Sequence, residues 1–326
     1  MRAAPSGSPG QAGGFATLLK LVPHGPDTYV GAPERYPFEG LYGGHVVAQA
    51  LRAAALTLRQ GCAPHSLHAY FLRMGDPSEP VRYEVERLRD GRSFIARQVV
   101  ARQSSGAILN MSASFQAVRS PDGPRGPLAA PVGPPPGLGG LGAKAPTTAV
   151  TAHLGADVQL EAPPDVLGPE EGTDLAWGPL FDLRLVQGRF GHTGRWLKEG
   201  AHAPATSEVG KGPSCSWARA HGELGDDPLL HAAALAYVSD TGPAWVVGAL
   251  HEACCAPGQP WRPVSLDHAL WFHRPFQADD WLLFCASASS ISASRGLAWA
   301  QVFSRDGVLV ASVAQEVLLR RPLLAT

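Results

Sequence analysis

One unit is written twice along this chain, with a shared spacing and different chemistry. Ser66-Leu67 opens an apolar run and Gln116 closes a later one 50 positions on; Ser265-Leu266 and Gln315 are also 50 apart. Each interval holds an acidic or Asp/Gly turn, two runs in which apolar and polar residues alternate, and a last run ending in Gln. A doubled unit sets the number of domains and directs attention to residues that one copy has and the other lacks. The copies do not align without a gap, because Gly106 precedes Gln116 by ten residues and Gly307 precedes Gln315 by eight. A difference of two keeps side-chain direction on a strand, so the two glutamines are expected on equivalent faces.

The 326 residues suffice for two domains of about 150 residues each. Residues 1–14 read as a loose tail, and an N-terminal domain is expected over 15–118. It opens with a strand pair turning at His24-Gly25-Pro26. A helix is expected next over 43–60, where Val46, Val47, Ala50, Leu51, Ala54 and Leu58 recur at helical spacing and abundant Ala with little charge implies burial on most sides. Then Val81, Tyr83 and Val85 alternate with Arg82, Glu84 and Glu86, and Asp90-Gly91 marks a hairpin into a strand over 93–103. The Pro/Gly density of 119–172 cannot support a packed core and reads as a linker. A C-terminal domain is expected over 173–322. Its strands are FDLRLVQG and CSWARAHGEL, and its helix is DPLLHAAALAYVSD, with Asp227 as N-cap and a turn at Thr241-Gly242. Strands resume from Ser265, with Leu297, Trp299 and Phe303 on one face and an Asp306-Gly307 hairpin. The last strand is apolar on both faces, which implies a place inside a sheet rather than at its edge.

Near-neutral charge, 27 basic against 28 acidic residues, leaves no electrostatic footprint for nucleic acid or an anionic membrane. No apolar run approaches the ~20 residues that span a bilayer, and the N-terminus has no apolar segment of the secretory kind. The C-terminus LLAT carries neither a Ser-Lys-Leu address nor a Cys for prenylation. Five Cys, an odd number with Cys254 and Cys255 adjacent, do not suggest a disulfide framework, and a reducing cytoplasm is the simplest compartment. There is no G-x-S-x-G elbow, P-loop, G-x-G-x-x-G after a strand, or H-E-x-x-H. His251-Glu252-Ala253-Cys254-Cys255 resembles a fragment of a zinc helix without its second His. His268 and His273 are an odd number apart, so on one strand they face opposite ways and do not share a metal.

What distinguishes the copies is an acid. The helix over 43–60 contains no Asp or Glu, whereas the second helix ends Tyr237-Val238-Ser239-Asp240, a lone carboxylate after a largely apolar stretch. Burying such a group is costly unless it is hydrogen-bonded into the next turn or serves a purpose.

The segments LYGGHVVAQAL, HSLHAYFLRMGDPSEPVRYEVERLRDGRSF and SFQ, with YVSD, VSLDHALWFHRPF, SRG and DGVLVASVAQE later in the chain, resemble the acyl-CoA thioesterase II (TesB-like) family over about 15–118 and 205–320. The resemblance implies an α+β double hotdog, each half an antiparallel sheet wrapped around a central helix. It also implies a catalytic Asp, Ser or Thr, and Gln in the second half, which fall on Asp240, Ser265 and Gln315. The family's Gln is His45 here. The activity implied is hydrolysis of fatty acyl-CoA by a positioned water, without cofactor or metal, in a homodimer or higher homo-oligomer. Arg295 and Arg274 are candidates for CoA phosphates, with solvated turns as the plain alternative. A hotdog hydratase or dehydratase, which would need a proton-exchanging His beside the Asp, and a non-catalytic acyl-CoA binding protein are the other readings.

Overall fold

The computed structural model describes residues 14–34, 40–117, 180–185, 214–254 and 262–320. The first half contains α1 (Phe15–Leu18), β1 (Leu21–Pro23), β2 (Thr28–Gly31), α2 (Gly43–Leu56), β3 (Cys62–Phe71), β4 (Val81–Asp90), β5 (Phe94–Gln103) and β6 (Gly106–Ala117). The second contains β7 (Phe181–Leu185), β8 (Ser214–Ala220), α3 (Pro228–Val238), α4 (Thr241–Cys254), β9 (Arg262–Ser265), β10 (Asp267–Phe272), β11 (Leu282–Ser292), β12 (Arg295–Ser304) and β13 (Leu309–Arg320). The expected linker at 119–172 lies outside the described residues.

The strands of both halves form one antiparallel sheet in the order β1-β2-β4-β5-β6-β3-β10-β13-β12-β11-β8-β7, with β9 pairing β13. The seam between halves is β3 against β10, with Leu67 opposite Leu270 and Ala69 opposite His268. Inside this curved sheet run α2 and α3 in mutual contact. Eleven of the fourteen residues of α2 are buried, and eight of the eleven of α3, so both are core helices with almost no solvent face. Their alanines and glycines permit the close approach. This is the double hotdog, two sheet-wrapped helices lying side by side.

Local chemistry sets the helix ends. The Asp227 side chain accepts from Leu229 N–H at 3.0 Å, with Pro228 in the first turn, which caps α3 as expected. The α2 helix stops at Leu56, short of the expected 60. There the Thr57 hydroxyl donates to the Ala54 carbonyl at 2.7 Å and itself accepts from Arg97 Nε at 2.7 Å. The turn expected at Thr241-Gly242 is instead the first turn of α4. Pro243 is tolerated there because the first helical residues have no intrahelical acceptor for their N–H groups. Val247 then packs on Ala298, Val317 and Leu319, and Gly296 makes the room, since a Cβ there would lie 2.3 Å from Val247 Cγ1.

The expected equivalence of the two glutamines fails. Gln315 is fully buried, whereas Gln116 is exposed and its neighbours Ala113 and Phe115 take the inward face of β6. The reason is the hairpin: Gly106 is paired with Gln103 in the ladder, whereas Gly307 lies in the turn before Leu309, and counted from the single bulge that each strand carries, at Ile108 and at Val310, Gln315 corresponds to Ala113 and not to Gln116. On β12 the inward residues are Ala298, Ala300 and Val302, while Trp299 faces outward and is 46% exposed. The last strand, β13, is interior as expected, flanked by β10 and β12.

Candidate functional site

Asp240 stands at the junction of α3 and α4, Ser265 ends β9, and Gln315 lies mid-strand on β13. The fold brings all three together. Ser265 Oγ donates to Asp240 Oδ1 at 2.9 Å; Gln315 Nε2 donates to Ser265 Oγ at 2.7 Å and to the Asp240 backbone carbonyl at 3.0 Å. Register explains the convergence, because β9 pairs with β13 so that Ser265 is opposite Val317, two residues from Gln315 on the same face.

The first half supplies the wall. The backbone N–H of Gly44, in the first turn of α2, donates to the Asp240 carboxyl group. A Cβ at Gly43 would lie 2.6 Å from Asp240 Oδ2, and one at Gly44 only 2.1 Å from the Tyr237 carbonyl oxygen. Tyr42, the N-cap residue of α2, holds the same corner: its hydroxyl donates to the Tyr237 carbonyl at 2.6 Å and lies 2.8 Å from Thr241 Oγ1. The half that lacks the acid is therefore needed to hold it.

Asp240 is buried, and burial pushes its carboxyl pKa above the usual carboxylate range. The charge of a protonated His268, the Ser265 hydroxyl, the Gly44 amide and the Gln315 amide each oppose that rise without cancelling it. A carboxylate so placed is a stronger base than one in water, and it is fixed in direction by its partners.

His268 is a fourth member that the sequence alone did not reveal. It is fully buried on β10, with Nδ1 at 2.7 Å from Gln315 Oε1 and Nε2 at 3.0 Å from Ser239 Oγ. Pairing places it there: Ala269 is opposite Ala314, and one step along the ladder sets His268 opposite Gln315, a register the sequence does not display. His273, just past β10, turns the other way and contacts Ser312 Oγ at 2.8 Å. Among the described residues no group of three or more His, Cys, Asp or Glu side chains has metal-site geometry.

Arg274 and Arg295 lie apart from the trio. Arg274 donates to the Leu309 carbonyl at 2.7 Å, at the opposite end of β13 from Val317 and Ser265. Arg295 on β12 pairs with Glu316 at 2.8 Å, on the strand face opposite to that of Gln315. In the first half Ser66 is opposite Ser114 on β6, and Gln116 faces out, so no second trio forms.

An acyl-CoA thioesterase N-terminal domain model matches residues 32–116, and an acyl-CoA thioesterase C-terminal domain model matches 158–319. Acyl-coenzyme A thioesterase 8 of Homo sapiens is 32% identical over 311 residues, covering 93% of this chain and 88% of that protein. Acyl-CoA thioesterase 2 of Haemophilus influenzae is 31% identical over 309 residues, covering 93% of this chain and 96% of that protein. Among solved structures, an acyl-CoA thioesterase II TesB2 from Mycobacterium marinum superposes with a TM-score of 0.64 at 33% identity, covering 96% of this chain and 99% of that one.

Proposed function

The chain belongs to the acyl-CoA thioesterase family, and on that premise we propose that it hydrolyses fatty acyl-CoA to free fatty acid and CoA with a water held by Asp240, Ser265 and Gln315. The observation that carries this reading is the closed hydrogen-bond set between those three side chains, drawn from three separate elements to one buried corner.

Each group's part in the chemistry is set by what it can exchange. Asp240 alone among the three can take a proton, so it removes one from water as the water oxygen bonds to the thioester carbon. Ser265 gives its hydrogen to Asp240 and accepts the Gln315 amide on its oxygen, which places it to orient a water rather than to attack. The nearby imidazole of His268 is bonded to Gln315 and Ser239, not to Ser265, so no imidazole activates the serine. Negative charge that develops on the thioester oxygen needs donors, and the first turn of α2, whose Gly44 amide already serves Asp240, presents N–H groups and the positive end of a helix dipole there. When the tetrahedral intermediate collapses, the C–S bond breaks, CoA leaves as thiolate, and the proton held by Asp240 returns to it through solvent.

We also assign the protein to the cytoplasm as a homo-oligomer of double hotdogs, with residues 15–118 as the non-catalytic and 173–322 as the catalytic domain. No helix among the described residues is long and apolar enough to cross a membrane.

Incubation with palmitoyl-CoA and chromatographic quantitation of CoA tests the reaction. Release of free CoA is the expected result; in a parallel incubation with a 2-enoyl-CoA, hydration of the double bond without CoA release would indicate a hydratase, and neither product a binding protein. The acid limb of kcat/KM should have its midpoint above the usual carboxylate range. Asp240 works only when ionised and burial raises its pKa, so activity is lost earlier on acidification than for a solvated Asp. A rate that is flat down to the pKa of a solvated carboxylate would exclude Asp240 as the base.

A further inference from the structure

We propose that His268 is a positioning residue that locks the Gln315 amide with its NH2 group toward Ser265 and Asp240; this deepens the reading of the Asp240, Ser265 and Gln315 site and rests on it. A side-chain amide is nearly symmetric in shape, and only its partners decide which end is oxygen. On one side, Gln315 must donate twice from Nε2, to Ser265 Oγ and to the Asp240 carbonyl, which has no hydrogen to give. On the other side, Oε1 can only accept, so the hydrogen of the 2.7 Å contact belongs to His268 Nδ1. Turning the amide over would set oxygen against the Asp240 carbonyl and NH2 against Nδ1–H. The imidazole and the carbonyl thus fix the amide from opposite ends.

The ring is itself held. Ser239, the residue before Asp240, offers its hydroxyl to Nε2 at 3.0 Å, and that hydroxyl also lies 3.4 Å from the Ala236 carbonyl. With a neutral ring the Ser239 hydrogen goes to Nε2; with an imidazolium, Nε2–H donates to Ser239 Oγ and the hydroxyl turns to Ala236. Nδ1 keeps its hydrogen in both states. The amide is therefore held the same way whether or not the ring is charged, and a fully buried imidazole becomes a fixed donor rather than a proton carrier. Ser239 and Asp240 are consecutive, so the chain that carries the base also carries the anchor of the ring that orients the Gln.

The test separates this role from packing. His268→Leu fills the space without a donor, whereas His268→Asn sets an amide N–H near the place of Nδ1–H. For His268→Leu, kcat for palmitoyl-CoA is expected to fall about 10–100-fold with KM changed less than about twofold, as for loss of an interaction made in the transition state. His268→Asn should recover most of the loss. Equal kcat for Leu and Asn, whether both normal or both low, would overturn the proposal. Should His268→Leu fail to fold, the unmodified protein still decides: nitrogen NMR of 15N-histidine-labelled protein should show the neutral His268 ring protonated at Nδ1, and protonation at Nε2 instead would overturn it. Asp240→Asn is assayed in parallel. Full activity there sinks the trio reading, whereas an inactive Asp240→Asn beside a fully active His268→Leu sinks only the inference about His268.

Discussion

Asp240→Asn is expected to lower kcat for acyl-CoA hydrolysis by about 10²–10³-fold while leaving KM nearly unchanged. The substitution keeps the shape and one acceptor oxygen of the two that serve the Ser265 hydroxyl and the Gly44 amide, and it removes the only group of the trio that takes a proton. Its effect on stability should run the other way. A carboxyl group whose folded pKa is raised above its unfolded value favours the folded state while protonated, and that contribution is lost as pH rises through the unfolded and then the folded pKa. Above both, the ionised Asp240 is a burden on the fold, so the amide variant should melt at the same temperature or higher at neutral pH. Calorimetry beside the CoA-release assay checks both halves. A variant with full turnover would remove Asp240 from the mechanism.

Gly44→Ala should damage the protein more than any other single methyl group at this corner. The added Cβ would lie 2.1 Å from the Tyr237 carbonyl oxygen and 2.6 Å from a ring carbon of Tyr42. The carbonyl cannot yield cheaply, because it is backbone of α3 and accepts the Tyr42 hydroxyl. Relief requires α2 and α3 to separate, and separation withdraws the Gly44 N–H from Asp240. We expect a loss of about 3 kcal/mol, the upper part of the range for overpacked cores, with CoA release falling by more than about 10²-fold. Gly242→Ala is the control: a Cβ there meets nothing within 4 Å and its φ is not positive, so its urea midpoint should match or exceed the parent's. If Gly44→Ala melted like Gly242→Ala, the close fit of the two helices would not be what holds Asp240.

The strands between Val81 and Gln103 are legible in the sequence because one face is buried and the other wet, the condition under which alternation is written clearly. Likewise, α2 and α3 declare themselves through apolar, alanine-rich runs, and the Asp227 cap through Asp-Pro. Asp240, Ser265 and Gln315 can be named from motif resemblance, and their hydrogen bonds are consistent with acting as a unit. Other features depend on counts that a sequence does not display. The register places Gly106 inside a ladder and Gly307 in a turn, which composition does not display, so equal spacing puts Gln116 and Gln315 in the same role when one is exposed and the other buried. The start of α4 is hidden because Thr-Gly-Pro reads as a turn, although a proline suits a first helical turn. Along its own strand His268 invites comparison only with His273, as a metal ligand. Its meaning comes from the partner strand, where β13 sets Gln315 beside it.

The mechanism we propose turns on water, not the serine, attacking the thioester. The most direct measurement is kcat of Ser265→Ala with palmitoyl-CoA, taken on protein shown by its melt to be folded. With Ser265 as an orienting hydroxyl, Asp240 and Gln315 remain and the rate should drop only about 10–100-fold, well above the rate without enzyme. A drop to the uncatalysed rate would make Ser265 the nucleophile and contradict the account.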